Sequence, residues 1–189
     1  MDQPGIEQRP IQMINGITTE FGQVVFDNAR VPAENMVGEP GEGWAFAMTT
    51  VSHEREPHTL GFAARYLKAV HDLEAQARAT TLSSAQAAEL AWAFTEAEML
   101  RLHTARRLSE QLDGVKHGPE GSIDKLLMTW AEQSVGHAAL ALGTASAIAG
   151  GSAEGLDFYL YSRAQSVMGG TSQIQKNLIA TRILGLPTS

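Results

Sequence analysis

Near its C-terminus the chain reads Met168-Gly169-Gly170-Thr171-Ser172-Gln173-Ile174-Gln175, followed by an amphipathic run and the stop Leu184-Gly185-Leu186-Pro187. Two adjacent glycines let a backbone lie flush against a ligand, and the Thr-Ser pair behind them suits the cap of a starting helix. A helix N-terminus carries N–H donors without intrahelical acceptors and the positive end of the helix dipole, so it suits an anion such as a pyrophosphate. On spacing alone, an ordinary capped helix explains the same residues. A second place for chemistry is Glu54-Arg55. Arg55 falls in the stripe formed by Trp44, Met48, Val51 and Phe62, where helical periodicity calls for an apolar residue, and Glu54 flanks it. A charge buried there requires a partner; alternatively the helix surfaces and Arg55, Glu56 and His58 form a solvated patch. A further glycine pair, Gly150-Gly151, reads locally as a helix C-cap.

Composition bounds what such residues could do. A chain of 189 residues can bury a core as one domain, or as one domain plus a fragment of another. With no cysteine there is neither a disulfide framework nor a thiolate metal site, and the six histidines show no ligand spacing, which argues against a metal enzyme. The net charge of −7 argues against a nucleic-acid face or an anionic membrane surface, because no basic block is present to release counterions. Residues 1 to 20 lack a basic segment followed by an apolar core, and the weakly polar stretch Ala138 to Ala149 is broken by Gly143, Thr144 and Ser146. The expectation is a cytoplasmic protein whose partner is a small molecule or another protein.

The elements that must hold these residues divide at about residue 42. Before it, prolines and glycines punctuate short pieces, Ile6 to Met13 and Gly22 to Val31, that read as strands and turns. So small a sheet cannot bury a core alone. From Glu42 to about Ala79 the pattern is a long helix kinked at Pro57, with Leu60, Ala63, Leu67, Val70 and Leu73 on a second apolar stripe. Another helix begins near Ser84, with Leu90, Phe94, Met99, Leu100, Ala105 and Leu108 inward, and ends before Asp113-Gly114. A third runs from Ser122 to Ala149 through Leu126, Leu127, Trp130, Val135, Ala138, Leu142 and Ala145, and the small residues of its second half permit close helix approach. Shorter helices follow at Ala153 to Gln165 and Thr171 to Leu184. Long helices joined by short loops predict an antiparallel bundle.

Two long stretches resemble a known family. Between Gly16 and Arg55, the run Glu20-Phe21-Gly22-Gln23-Val24-Val25-Phe26-Asp27-Asn28-Ala29-Arg30-Val31-Pro32, then Val37-Gly38-Glu39, Gly43-Trp44 and Glu54-Arg55, resembles the junction of the middle β-domain and C-terminal helical domain of acyl-CoA dehydrogenases. The run from Gly169 to Pro187 is similar to that family's C-terminal signature, and the two stretches come in the family's order and spacing. The resemblance implies a mainly α fold: an antiparallel helical bundle of the acyl-CoA dehydrogenase C-terminal type (42–189), preceded by a short β remnant that is the end of the middle β-domain (1–41). It covers the second half of such an enzyme, with no counterpart of the N-terminal helical domain and most of the β-domain.

By the same resemblance the chemistry is FAD-dependent α,β-dehydrogenation of an acyl-CoA thioester: a glutamate removes the α-proton and the β-hydrogen leaves as hydride to flavin. In many members the base directly precedes the signature Gly-Thr, a place held here by Gly169, which cannot serve. A second branch, similar to the isovaleryl and long-chain enzymes, carries its glutamate in a Glu-Arg pair on the first bundle helix, which Glu54-Arg55 matches. The resemblance then implies Glu54 as catalytic base; Ser52, His53, Arg55, Gly169 and Gly170 at the substrate; and Thr171, Ser172 and Gln173 at the flavin nucleotide. Gln173 stands where glutamate is usual. The backbone N–H of Gly169 would hold the thioester carbonyl, and Gly150-Gly151 resembles the loop that touches the neighbouring subunit's cofactor. The family's Arg-x-Phe-Gly loop is replaced by Arg78 to Ser84, so that arginine has no counterpart. Desolvation would raise the pKa of Glu54 and Arg55 would oppose the rise.

Three functions are compatible with these residues: the C-terminal part or one chain of an acyl-CoA dehydrogenase, a catalytically silent subunit of a heteromeric one, or a helical interaction module without flavin. Implied partners are an acyl-CoA substrate, an electron-transferring flavoprotein or similar acceptor, and a homo- or hetero-oligomer, with another chain as a source of the N-terminal half.

Overall fold

The structure is a computed structural model that describes residues 2–16, 19–54, 59–115, 118–143 and 153–187, with side chains at all of these except 52–54, 59, 153 and 154. The chain falls into two compact units, Met1–Val51 and Ser52–Ser189.

In the first unit, strands β1 (Ile6–Ile11) and β2 (Phe21–Phe26) pair antiparallel, with Ile6 opposite Phe26 and Ile11 opposite Phe21. Ile11, Phe21, Val25 and Phe26 stay exposed, as expected of a two-stranded sheet that buries little. Helix α1 (Gly43–Glu54) begins here. Trp44 and Met48, expected in a buried stripe, are 77% and 44% exposed. The helix is apolar nearly all round its first turns, so residue spacing singles out no face.

The second unit is the helical bundle. Helices α2 (Thr59–Ala77), α3 (Ser84–Leu112) and α4 (Gly121–Leu142) pack on one another, and α5 (Ala153–Ser162) packs on α4. A 3-10 turn (Arg163–Ser166), helix α6 (Ser172–Leu178) and a π-helical turn (Ile179–Ile183) follow. Helix α3 starts where Ser83 forms a capping box: its Oγ accepts the Gln86 N–H at 3.3 Å, and Gln86 Oε1 accepts the Ser83 N–H at 3.0 Å.

The core consists of Ala63, Tyr66, Val70 and Leu73 from α2, Ala93, Ala97 and Leu100 from α3, and Ala131, Val135 and Ala138 from α4. On α3 the buried stripe is Ala93, Ala97, Leu100, Thr104 and Arg107, whereas Phe94, Met99 and Leu108, expected inward, are exposed. Small residues facing α2 and α4 let the backbones approach, and the bulkier apolar residues are displaced to the flanks. The same principle acts at Gly136 of α4, where an added Cβ would lie 3.3 Å from both Ser162 Oγ and Tyr159 Cα of α5. Asp124 ties the far end of α3 to α4, accepting from Arg107 Nη2 at 3.1 Å and standing 2.5 Å from His103 Nε2. No described helix is long and apolar enough to cross a membrane.

Candidate functional site

The glycine turn is where backbone conformation departs from what ordinary residues adopt. Gly169 has φ +63° and Gly170 φ +95°, two consecutive left-handed residues that a side chain would strain. Thr171 follows in an extended conformation and caps α6, its hydroxyl accepting the Ile174 N–H at 3.2 Å. The N–H groups of Ser172 and Gln173 therefore open the helix with no intrahelical acceptor. Thr171 and Ser172 are half-buried and Gln173 is exposed, so this end of α6 combines cover with access.

Gln175 is fully buried one turn into α6, and its Nε2 donates to the Gly169 carbonyl at 3.2 Å. Its Oε1 is buried with no hydrogen-bond partner among the described residues. Upstream of the turn, Lys125 of α4 is buried, with Nζ donating to Thr129 Oγ1 at 2.7 Å and to the Gln165 carbonyl. The lysine stem lies against the turn: a Cβ on Gly169 would sit 3.5 Å from Lys125 Cε, an ordinary contact.

A buried carboxylate completes the network. Glu132 of α4 accepts from the Tyr66 hydroxyl and from the Gln165 side chain. Burial pushes the Glu132 pKa above the ordinary carboxylate range, opposed by the Tyr66 bond, the Arg65 charge, the Gln165 bond and the Lys125 charge. Burial, reinforced by the Glu132 charge, pushes the Tyr66 phenol upward. Because Glu132 holds its proton to higher pH when folded than when unfolded, its contribution to stability is fully present below the ordinary carboxylate range and is lost as pH rises through the folded pKa. Glu132→Gln should remove that loss while keeping an acceptor for Tyr66. The difference in Tm between variant and wild type is expected to move in the variant's favour as pH rises from the ordinary carboxylate range to neutrality, a trend that thermal melts across pH would check.

Residues 41–184, which contain the bundle and this turn, match the sequence profile of the acyl-CoA dehydrogenase C-terminal domain. The chain belongs to the acyl-CoA dehydrogenase family. Acyl-CoA dehydrogenase IpdE1 of Mycolicibacterium smegmatis is 34% identical over 195 residues, covering 99% of this chain and 47% of that protein. Acyl-CoA dehydrogenase FadE34 of Mycobacterium tuberculosis is 31% identical over 194 residues, covering 99% of this chain and 26% of that protein. Among solved structures, the Tcur3481-Tcur3483 steroid ACAD shares the fold with a TM-score of 0.81 at 24% identity, over 100% of this chain and 50% of that one. The chain thus spans half or less of the length of these relatives.

Of the residues singled out from the family signature, Gly169, Gly170, Thr171, Ser172 and Gln173 form the one continuous turn described above. Ser52, His53 and Glu54 end α1, with side chains outside the described set, and Arg55, Gly150 and Gly151 lie outside the described residues. Sequence reasoning missed the polar layer behind the turn: Tyr66, Lys125, Glu132, Gln165 and Gln175. A signal was there, since Lys125, Thr129, Glu132 and Gly136 recur at steps of four, three and four along one side of the helix. That pattern ordinarily marks a solvated face.

Proposed function

We propose that this chain is the C-terminal part, or one chain, of an FAD-dependent enzyme that α,β-dehydrogenates an acyl-CoA thioester. The observation that carries the reading is the left-handed Gly169–Gly170 pair leading into the Thr171-capped helix, within a chain of this family. The turn suits a flavin dinucleotide. It offers the N–H groups of Ser172 and Gln173 at the opening of the helix, the hydroxyls of Thr171 and Ser172, no side chain at the glycines, and close by the buried acceptor Gln175 Oε1, which has no partner among the described residues.

Thr171, Ser172 and Gln173 would hold the flavin nucleotide, and Gly150 and Gly151 the cofactor of a neighbouring subunit. When bound, the flavin supplies the acceptor for the β-hydrogen as hydride. Glu54 would take the α-proton of the thioester onto its carboxylate, with Ser52 and His53 lining the pocket beside it and Arg55 at the substrate. The N–H of Gly169 donates to the thioester carbonyl oxygen and stabilises the negative charge that gathers there as the proton leaves. An electron-transferring flavoprotein or similar acceptor would reoxidise the cofactor. Self-association is part of the same reading, supported by the exposed Trp92, Met99, Leu102 and Leu112 along α3.

The test is an absorption spectrum of the chain joined to the polypeptide that supplies the front half and reconstituted with FAD. The complex should be yellow, and anaerobic acyl-CoA should bleach the flavin band. A colourless complex, or a flavin band indifferent to every acyl-CoA offered, would remove the enzymatic reading.

A further inference from the structure

We infer that Lys125 is a positioning residue for the Gly169–Gly170 turn, its buried ammonium reaching from α4 to the Gln165 carbonyl and fixing the segment that aims the Gly169 N–H. What the turn binds rests on the dehydrogenase reading; that Lys125 holds the turn does not. Two successive glycines have more backbone freedom than any other pair of residues, so a turn built from them aims an N–H well only if both flanks are held.

The downstream flank is held by the Thr171 cap and by Gln175 Nε2 on the Gly169 carbonyl. The upstream flank is held at Gln165, four residues before Gly169. The Gln165 carbonyl receives Lys125 Nζ, and its side chain binds Glu132, which the Tyr66 hydroxyl holds in turn. The turn is thereby tied through α4 to α2. Lys125 also floors the turn, with Cε 3.5 Å from the point where a Gly169 Cβ would stand, and Thr129 Oγ1 orients its ammonium.

Burying an ammonium is costly, and a methionine of similar length would fill the same space without that cost. What methionine cannot do is donate to the Gln165 carbonyl. Stability and turn geometry should therefore respond differently to Lys125→Met, which separates positioning from general packing.

The experiment is amide hydrogen exchange on the full chain in its FAD-loaded assembly, comparing wild type, Lys125→Met and Lys125→Arg. In Lys125→Met, exchange over residues 166–174 should accelerate by about tenfold or more, the effect of losing one charge-assisted hydrogen bond. Protection of α3 residues 93–104 should hold, and turnover should fall by a similar factor with KM little changed, because the Gly169 N–H acts on charge that develops in the transition state. Lys125→Arg, which keeps a donor, should recover part of both. Unchanged exchange at the turn overturns the inference, and so does acceleration spread equally over α3, the mark of a packing residue alone. Should Lys125→Met not fold, Lys125→Leu, which likewise carries no donor and leaves the Thr129 hydroxyl on the Gln165 carbonyl in place, is read by the same criteria. If the wild-type assembly binds no FAD, the dehydrogenase reading fails, and exchange measured on the chain itself still decides whether Lys125 holds the turn.

Discussion

Glu54→Gln is expected to lower turnover of the proposed dehydrogenase assembly by about 10²- to 10⁴-fold, the usual contribution of a positioned general base, with flavin content unchanged. The carboxamide keeps the size and hydrogen-bonding shape of the carboxylate but cannot accept the α-proton, so binding and chemistry separate. Flavin content, read from the absorption band, should match wild type, because Glu54 is proposed to act on the thioester, whereas the nucleotide is proposed to be held by Thr171, Ser172 and Gln173. The measurement also discriminates between readings. In a catalytically silent subunit the partner's base would do the chemistry and Glu54→Gln would leave turnover intact. The family resemblance implies one other place for the base, and that place is held here by Gly169, which has no side chain.

Leu100→Ala should be the most damaging truncation of an aliphatic side chain in the bundle. Leu100 is fully buried at the middle of α3, in the cluster where α2, α3 and α4 meet, which also contains Ala63, Ala93, Ala97, Ala131 and Ala138. Small neighbours on three rigid helices cannot move in to fill the space, so the cavity term adds to the lost transfer energy. The expected loss is about 2–5 kcal/mol, or roughly 4–20 °C in Tm for a chain of this size. Differential scanning calorimetry would measure it. Leu108→Ala on the same helix provides the contrast, since that side chain is 42% exposed and its removal should cost much less.

The contrast shows where reading the sequence succeeded. The helical elements were legible because their signals are local: Ser83 and Gln86 form a capping box within four residues, Thr171 caps its own helix, and Asp113-Gly114 ends α3. The inward face of α3 was not legible. Size and hydropathy favour Phe94, Met99 and Leu108, yet the structure buries Ala93, Ala97, Thr104 and Arg107, because which stripe faces inward depends on how near the neighbouring helices come.

The candidate site divides in the same way. By itself the sequence determined the glycine pair, the cap behind it and the family signature around them, since each is written in consecutive residues and follows from local backbone chemistry. Only the tertiary structure decided that Lys125, Glu132, Gln165, Gln175 and Tyr66 form one buried polar layer behind that turn. These residues come from four elements between positions 66 and 175, and a polar side chain on a helix is cheap in water and costly inside. Residue type alone cannot say which applies, and the answer comes from the partners that folding brings within hydrogen-bond reach.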